Sequence, residues 1–478
     1  MSRSAEMPRF LRFGLPITAI LILAGCASAS LDQSLGQANS DAGSFTEGRL
    51  ALARTDDERS RRADSAQALL QNPLGQKEAV QLALLNSPAL QALVAQSWAD
   101  SADAAQQGRI PNPFFNFERV RIGDELELSR TLSFGLLDLL TLPSRKVIAE
   151  RRIAHSRLRL TSDVVDQVTQ VRQAWVRAVA SRQNLQYAQQ VYQSAEAGAE
   201  LARRMQAVGN FNRISRAREQ AFYADAATRL VTAKHQATAG REELVRLLGL
   251  TDDQAQALRL PDRLPDLPKA AMPPDEAASR AVKVRLDVRM AQSSFEASAR
   301  DQGLNAITSF TDVELGVRRD TIFDNSSGER SKARGYELGL RLPLFDWGGL
   351  QRDAMNARTL AAANQLEATL RAAGSNLRES YSAYRSAFEV ARHHREEVLP
   401  LRKVISDENL LRYNGMLIGV FELLADSRDQ ISTVMAAIDA EQQFWLADAA
   451  LQATLIGRPT NTSLSVTTSA SAGGGAGH

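Results

Sequence analysis

The chain contains two similar halves, and each half joins short alternating strands to very long helical runs. Two pairs of matching segments fall at the same spacing: Glu127–Leu132 with Glu337–Leu342, and Gly209–Gln220 with Gly419–Gln430. Internal repetition of this extent decides the architecture before any local motif is weighed. We therefore interpret the chain as one duplicated unit rather than a string of unrelated domains.

The N-terminus has the pattern of a secretion signal. A start with three arginines precedes an apolar run from Phe13 to Ala24, which is shorter than the roughly 20 residues that a membrane-spanning helix needs. Leu23-Ala24-Gly25-Cys26 resembles a bacterial lipobox, which is cleaved before the cysteine and lipidated on its sulfur, with palmitate among the attached groups. The alternative is an ordinary secretory signal with an incidental cysteine. We predict a signal peptide over 1–25 and a lipid on Cys26, with no other cofactor.

Proline, glycine and composition divide the rest of the chain into repeats and connecting segments. Cys26 is the only cysteine, which excludes internal disulfides and a cysteine-cluster metal site. The predicted segments are a lipidated tether over 26–75, mostly extended with one short polar helix; a first repeat over 76–260, with strands at about 114–133 and long helices at about 144–249; a linker over 261–274; a second repeat over 275–458, with strands at about 308–344 and long helices at about 349–456; and a disordered tail over 459–478.

Both repeats predict paired strands with one apolar side. The residues on that side are Leu126, Leu128 and Leu132 in the first repeat and Val313, Leu315, Val317, Leu338, Leu340 and Leu342 in the second. This period-two alternation is what a barrel strand between lipid and a wet lumen requires, although a half-buried soluble sheet has the same period. The lipid signal favours the barrel, so we predict that these residues face lipid. The polar segment Arg319–Arg334 predicts a long external loop.

Composition gives no indication of a nucleic-acid partner and does not identify any other. A formal net charge of +2 and 23% charged residues give no strong bias toward nucleic acid. No segment after residue 24 is apolar enough for a transmembrane helix, so strands must do any spanning.

The strand count predicts self-association. Four strands cannot close a transmembrane barrel, for which the smallest known number is about eight. Unpaired strand edges in lipid are costly, since each unsatisfied backbone group costs several kcal/mol. Two copies would make a narrow, filled barrel, whereas three copies would make twelve strands around a lumen. The helical run from Ser144 to Val208, which contains one glycine (Gly198) and no proline, also needs lateral helical partners.

Residues 76–458 resemble the TolC-like outer-membrane efflux factors. The resemblance rests on the duplicated plan and on three strings: Asn86-Ser87-Pro88-Ala89-Leu90, Pro111-Asn112-Pro113, and Leu342-Pro343-Leu344-Phe345-Asp346-Trp347-Gly348-Gly349. The first repeat departs from the last string, with an apolar link between Gly135 and Pro143. The resemblance implies a mainly α protein with a membrane β-barrel. It implies a homotrimer whose 12-stranded barrel in the outer membrane continues into a periplasmic α-helical tunnel.

The resemblance also implies a function and partners. The protein would be the passive exit duct of a tripartite efflux pump, not an enzyme, anchored by lipid in the cell outer membrane and extending into the periplasm. Its partners would be a periplasmic adaptor and an inner-membrane pump of the resistance-nodulation-division type. The alternatives are a lipid-anchored periplasmic adaptor, which has one helical hairpin rather than two, and a structural coiled-coil lipoprotein, which needs no alternating strands.

Two chain reversals correspond to the positions where the family docks its adaptor and closes its tunnel. They comprise Val208, Gly209 and Asn210 in the first repeat and Gly415, Ile418, Gly419 and Val420 in the second. Relatives often carry an acid just beyond the tip, a position to which Glu422 is similar. We hypothesise that Arg213 and Glu422 form part of the gate; the alternative is two solvated charges near a turn.

Other chemistry has little support in the sequence. His393 and His394 are adjacent on a predicted helix and have no third metal ligand nearby. Phosphate loops, nucleophile elbows and zinc motifs are absent from the sequence. We therefore predict neither catalytic nor metal-binding residues.

Overall fold

The computed structural model describes residues 30–308, 312–324 and 326–460, with the side chains of 282–284, 307 and 421 left undescribed. The predicted signal peptide, Cys26 and residues 461–478 of the predicted tail lie outside the described residues. Helices make up 73% of the structure, which confirms the mainly α class.

The helices and strands follow the duplicated plan along the chain. In order they are α1 (Leu31–Thr46), α2 (Asp56–Leu69), α3 (Gln76–Asn86), α4 (Pro88–Gln107), β1 (Phe114–Ile122), β2 (Glu125–Gly135), α5 (Leu136–Ala207), α6 (Arg213–Leu248), α7 (Asp252–Ala257), α8 (Pro274–Val284), α9 (Leu286–Thr308), β3 (Val313–Asp324), β4 (Arg330–Leu340), α10 (Gly349–His393), a π-helical turn (His394–Val398), α11 (Leu399–Asn414) and α12 (Val420–Ile456).

The chain divides into two compact units. The first contains residues 30–36, Ala95–Leu160 and Val288–Thr369, and therefore all four strands; the second contains residues 37–94, Thr161–Asp287 and 370–460. Each unit takes segments from both repeats. In the second unit, the aromatic rings of Tyr384, Phe388 and Phe444 form a buried cluster with Leu451. The two compact units therefore do not correspond to the two sequence repeats.

The strands form one antiparallel sheet in the order β1-β2-β3-β4. Short hairpin turns join β1 to β2 and β3 to β4, and β2 pairs with β3 across the two repeats. The described residues provide no partner for the outer edge of β1 or β4. The sheet is therefore continuous across the duplication and open on both sides.

The prediction of a mostly extended tether with one short polar helix is wrong, because two helices, α1 and α2, occupy most of this segment. A capping box explains where α2 begins. The Thr55 side chain accepts a hydrogen bond from the Glu58 amide, and the Glu58 carboxylate accepts one from the Thr55 amide. In the second unit, the Asn39 amide group and the Leu50 backbone exchange two hydrogen bonds of 3.0 and 2.7 Å. Nearby Phe45 is buried, with the Arg172 guanidinium 4.4 Å from its ring centre. Packing and capping therefore order a segment whose composition alone favours extension.

Three further predictions are corrected by the element bounds. Most of Arg319–Arg334 is strand rather than loop, since β3 continues to Asp324 and β4 begins at Arg330. Strand β4 ends at Leu340, so Leu342 lies beyond it. The apolar link before Pro143 is helical, because α5 begins at Leu136, directly after β2.

Pro400 does not break the helical run from Gly349 to Asn414. The chain passes from α10 through the π-helical turn into α11, and Pro400 occupies the first turn of α11. A proline is tolerated there because first-turn amides need no helical acceptor. The change of hydrogen-bond register in the preceding five residues accommodates its missing donor.

In the second unit, both repeats pack the end of their last long helix against the junction of their first two helices in the same way. A glycine with positive φ ends each last long helix: Gly249 (φ 65°) after α6 and Gly457 (φ 92°) after α12. Gly249 packs against Ser87 and Pro88, between α3 and α4, and Gly457 packs against Leu286 and Asp287, between α8 and α9. These matching contacts support the duplication independently of sequence matches.

Within the described residues, no helix combines the length and apolar character that crossing a bilayer requires.

Candidate functional site

The strand register places the predicted lipid-facing residues on one face of the sheet. Directly opposed residues in antiparallel strands share a face. The pairs Leu132 with Val317, Leu315 with Leu338, and Val313 with Leu340 therefore connect three strands on that face. Leu126 and Leu128 fall on the same face by alternation along β2. Leu342 follows the last residue of β4 and has no ladder partner. That this face meets lipid stays a prediction.

The opposite face of the sheet is acidic. Its charged residues in the strands are Glu118, Glu125, Glu127, Glu314, Asp320, Asp324 and Glu337, together with one cation, Arg318. Arg318 bridges two of the acids, with nitrogen-to-oxygen distances of 3.2 Å to Glu127 and 2.9 Å to Asp320. The acids outnumber the cations on this face, which gives it a strong negative potential.

The first reversal is a tight turn with a left-handed residue. Gly209 has a φ of 81°, and the amide of Asn210 donates to the carbonyl of Met205. Val208 is 71% exposed, so the turn presents an apolar side chain to its surroundings. The Asn212 side chain then caps α6 by accepting from the Ser215 amide at 2.7 Å.

The second reversal has the same design with different residues. Met416 takes the left-handed conformation (φ 58°), and Gly419 is the N-cap of α12. Ile418 is buried, as Phe211 is in the first reversal, whereas Met416 and Leu417 are exposed. These landmarks are displaced by three residues from the sequence match of Gly209 with Gly419. The matched strings therefore mark the repeat but not equivalent positions in the turns.

The structure does not bring the two gate candidates together. Arg213 is the first residue of α6 and Glu422 lies in the first turn of α12, and both are exposed. Neither side chain forms an ion pair with a described residue. Their role in a gate stays a prediction.

A buried ion pair near the tips joins the two hairpins instead. Glu219 of α6 is only 3% exposed, and its carboxylate pairs with the guanidinium of Arg428 in α12. That guanidinium also lies 4.6 Å from the ring centre of Phe222. Gly198 of α5 lies beside the carboxylate, and a Cβ at that position would make an ordinary van der Waals contact of 3.6 Å with Glu219 Oε2. A charge-assisted bond at this depth holds α6 against α12.

A second charged group ties the two helices of the second hairpin together. Arg402 of α11 reaches the carboxylates of Asp426 and Asp429 in α12 at 3.6 and 2.8 Å, and Asp426 is buried. Sequence reasoning missed both groups, although Glu219, Arg428 and Asp429 belong to the matched strings. A local signal was available for Arg428, whose neighbours Leu424, Ala425 and Ile431 on the same helix face are apolar.

By contrast, Glu200 forms ion pairs that stay within one helix. Its carboxylate lies 2.6 Å from Arg203 and 2.7 Å from Arg204 in α5, and hydrogen bonds from these arginines lower the pKa of Glu200 to about 2. Glu200 therefore offers an internal comparison for Glu219. In the described part of the chain, no group of three or more His, Cys, Asp or Glu side chains is arranged to hold a metal ion.

Comparison with solved structures decides the fold. The CmeC outer membrane channel of Campylobacter jejuni superposes with a TM-score of 0.67 at 13% identity, over 87% of this chain and 91% of that one. A membrane protein from Pseudomonas aeruginosa gives 0.65 at 22% identity, over 84% and 94%. The outer membrane protein VceC of Vibrio cholerae gives 0.63 at 16% identity, over 84% and 98%.

The chain has the fold of outer-membrane channels. At these identities the likeness establishes the fold of the single chain, and it confirms the resemblance to TolC-like channels. The closed 12-stranded barrel and the trimer stay predictions. No protein-family model and no curated protein sequence matches the chain.

Proposed function

We propose that this protein is the outer-membrane exit duct of a tripartite efflux pump. The observation that carries the proposal is the sheet: one face holds the apolar residues, the other holds acids, and the edges at β1 and β4 have no described partner. A sheet of this kind in lipid must close with further copies, because open edges leave backbone groups unsatisfied. Three copies give twelve strands and a water-filled lumen.

The helical hairpins would form the periplasmic tunnel of the trimer. Their reversals, which expose Val208, Met416 and Leu417, would contact a periplasmic adaptor, and an inner-membrane pump would supply the energy. A lipid on Cys26 would add a second attachment to the membrane, since one lipid group alone anchors only marginally. The duct itself would be passive.

The ion pair between Glu219 and Arg428 would stabilise the closed state of the proposed duct. Opening a tunnel at its helix tips requires neighbouring hairpins to separate, and this pair connects α6 to α12 about 9 Å along α6 from its first residue. Loss of one partner leaves the other charge without compensation in a poorly solvated place. We therefore expect this pair to hold the tips together.

The first test is conductance of the full-length protein in planar bilayers. Glu219→Gln should raise the closed-state leak severalfold, since the amide keeps the shape of the carboxylate but loses its charge. Glu200→Gln is the matched control, because its partners lie in its own helix, and it should leave the leak unchanged. Arg213→Ala and Glu422→Ala test the two exposed gate candidates in the same series. An unchanged leak in Glu219→Gln would remove the pair from the gate.

The adaptor alternative is tested separately. Outer-membrane fractionation combined with heat-modifiable migration on a gel should show a barrel protein, because closed barrels resist unfolding in detergent until heated. A protein that fractionates with the inner membrane or migrates identically before and after heating would support the lipid-anchored adaptor.

A further inference from the structure

The apolar face of the sheet changes character halfway along its strands. The three residue rows nearest the helices contain apolar and aromatic side chains: Phe115, Leu132, Phe134, Val313, Leu315, Val317, Tyr336, Leu338 and Leu340. The three rows nearest the hairpin turns contain seven cations, here named the basic rows: Arg119, Arg121, Arg130, Arg319, Arg330, Lys332 and Arg334. No acidic residue of the four strands lies on this face.

The cations of the basic rows have no counter-charge in the described chain. None of them forms an ion pair with a described residue, and all but Arg130 are exposed. Arg130 donates to the Thr321 hydroxyl at 3.3 Å, and the Arg330 guanidinium lies 5.1 Å from the Phe323 ring centre. Their charges are therefore available to an external anion.

The arrangement of the basic rows opposes the stability of the isolated sheet. Arg130 is directly opposite Arg319, and Arg319 is directly opposite Arg334. Like charges at directly opposed positions destabilise a sheet. The acids of the same strands cannot relieve this repulsion, because they lie on the other face. An anion bound across the strands would relieve it.

We propose that the basic rows bind the phosphate groups of lipid headgroups in the leaflet that surrounds the hairpin end of the sheet. The proposal rests on the proposed function, because the apolar rows must face hydrocarbon for the basic rows to reach headgroups. Cations on a lipid-facing strand are costly at the bilayer midplane and tolerated near its surface. Their position beside the apolar rows matches that requirement.

The depth of the basic rows favours a lipid with more than one phosphate. From Phe117 to Arg121 the rows cover about 13 Å along the strand, whereas the headgroup zone of a phospholipid leaflet is about 6 Å deep. Arginine also binds phosphate oxygens with two parallel hydrogen bonds. A phosphorylated glycolipid offers phosphates at more than one level and matches both features.

The test measures binding of bis-phosphorylated lipid A to the full-length oligomer in zwitterionic detergent by native mass spectrometry. The variant Arg319→Gln/Arg330→Gln/Lys332→Gln/Arg334→Gln should bind at least about tenfold more weakly. The variant Arg319→Lys/Arg330→Lys/Arg334→Lys, which keeps a cation at all four positions because residue 332 is already lysine, should retain most binding. Wild-type binding should also weaken with added salt.

The control removes as much charge elsewhere. Lys234, Arg263, Lys269 and Lys403 are exposed and form no ion pair in the described chain, so their replacement by glutamine should leave lipid A binding unchanged. Equal binding by the sheet variant and wild type would overturn the proposal, as would equal loss in the control.

A parallel assay separates this proposal from the proposed function. All variants should insert into vesicles of phosphatidylcholine alone and resist carbonate extraction, since the apolar rows are unchanged. Failure of the wild type to insert would refute the duct and the lipid site together. Insertion without preference for lipid A over phosphatidylcholine would refute only the lipid site.

Discussion

At the residue scale, Glu219 and Asp448 show two fates of a carboxylate on a long helix. Glu219 is compensated by Arg428, and the pair joins two hairpins. Asp448 of α12 is half-buried beside the aromatic cluster, and burial raises the pKa of its carboxyl, although a hydrogen bond from Gln452 and the charge of Arg172 lower it. Burial without full compensation therefore destabilises the charged form.

We predict that Asp448→Asn raises the melting temperature at pH 7. The pKa of Asp448 is higher in the folded than in the unfolded protein, so its charged form lowers stability as the pH rises through the folded pKa. The difference between variant and wild type should shrink as the pH falls, because the raised pKa lets the folded carboxyl bind a proton at a higher pH than the unfolded one does. Circular dichroism melting curves between pH 4 and pH 8 measure this. Asp407→Asn, at an exposed position of α11, should show no such trend.

At the element scale, the helix-ending glycines fix how the last long helix of each repeat meets its first helix pair. Gly249 needs a left-handed backbone and leaves no room for a Cβ, which would overlap Pro88 and lie 2.9 Å from Ser87 Cα. Gly209 also has a positive φ, but a Cβ there would meet nothing within 4 Å. Comparing alanine variants of the two glycines therefore separates the effect of backbone strain from the effect of close packing.

Gly249→Ala should lower the free energy of unfolding by about 2–4 kcal/mol, because it adds a steric clash to the left-handed strain. Gly209→Ala should cost about 1 kcal/mol from strain alone. Urea denaturation followed by helical circular dichroism compares them. Equal midpoints for the two variants would contradict the packing role of Gly249.

At the scale of the whole molecule, the sheet separates charge by face. Cations occupy the face with the leucines, and acids occupy the other, where Glu118 and Glu314 have no ion-pair partner among the described residues. In the proposed trimer the acidic face would line the lumen, and three copies would multiply its potential. A lumen of this kind attracts cations and repels anions.

We therefore predict that the open channel conducts cations in preference to anions. The reversal potential in a potassium chloride gradient measures this, and Glu118→Gln/Glu314→Gln should move it toward zero. Glu379→Gln, which removes an exposed charge from α10, is the control and should leave it unchanged. A shift in the control or none in the sheet variant would place the acidic face outside the conducting path.

The sequence by itself determined the features that depend on local periodicity. The repeat, the alternating strands, the proline-free helices and the positions of both reversals all follow from neighbours a few residues apart. Alternation also fixed which residues share a side within one strand, such as Leu126 with Leu128 and Leu338 with Leu340.

Only the tertiary structure decided which residues are opposite each other in the sheet and which helices pack together. The strand identity of residues 319–324 and 330–334 depends on the pairing of β3 with β2 and of β4 with β3, and the basic rows exist because that register aligns cations from all four strands. Glu219 meets Arg428 through the packing of two helices that are distant in sequence. Register and helix packing are set by non-local contacts, and a one-residue shift in register would exchange the two faces of a strand. Local sequence patterns carry no information about such pairings.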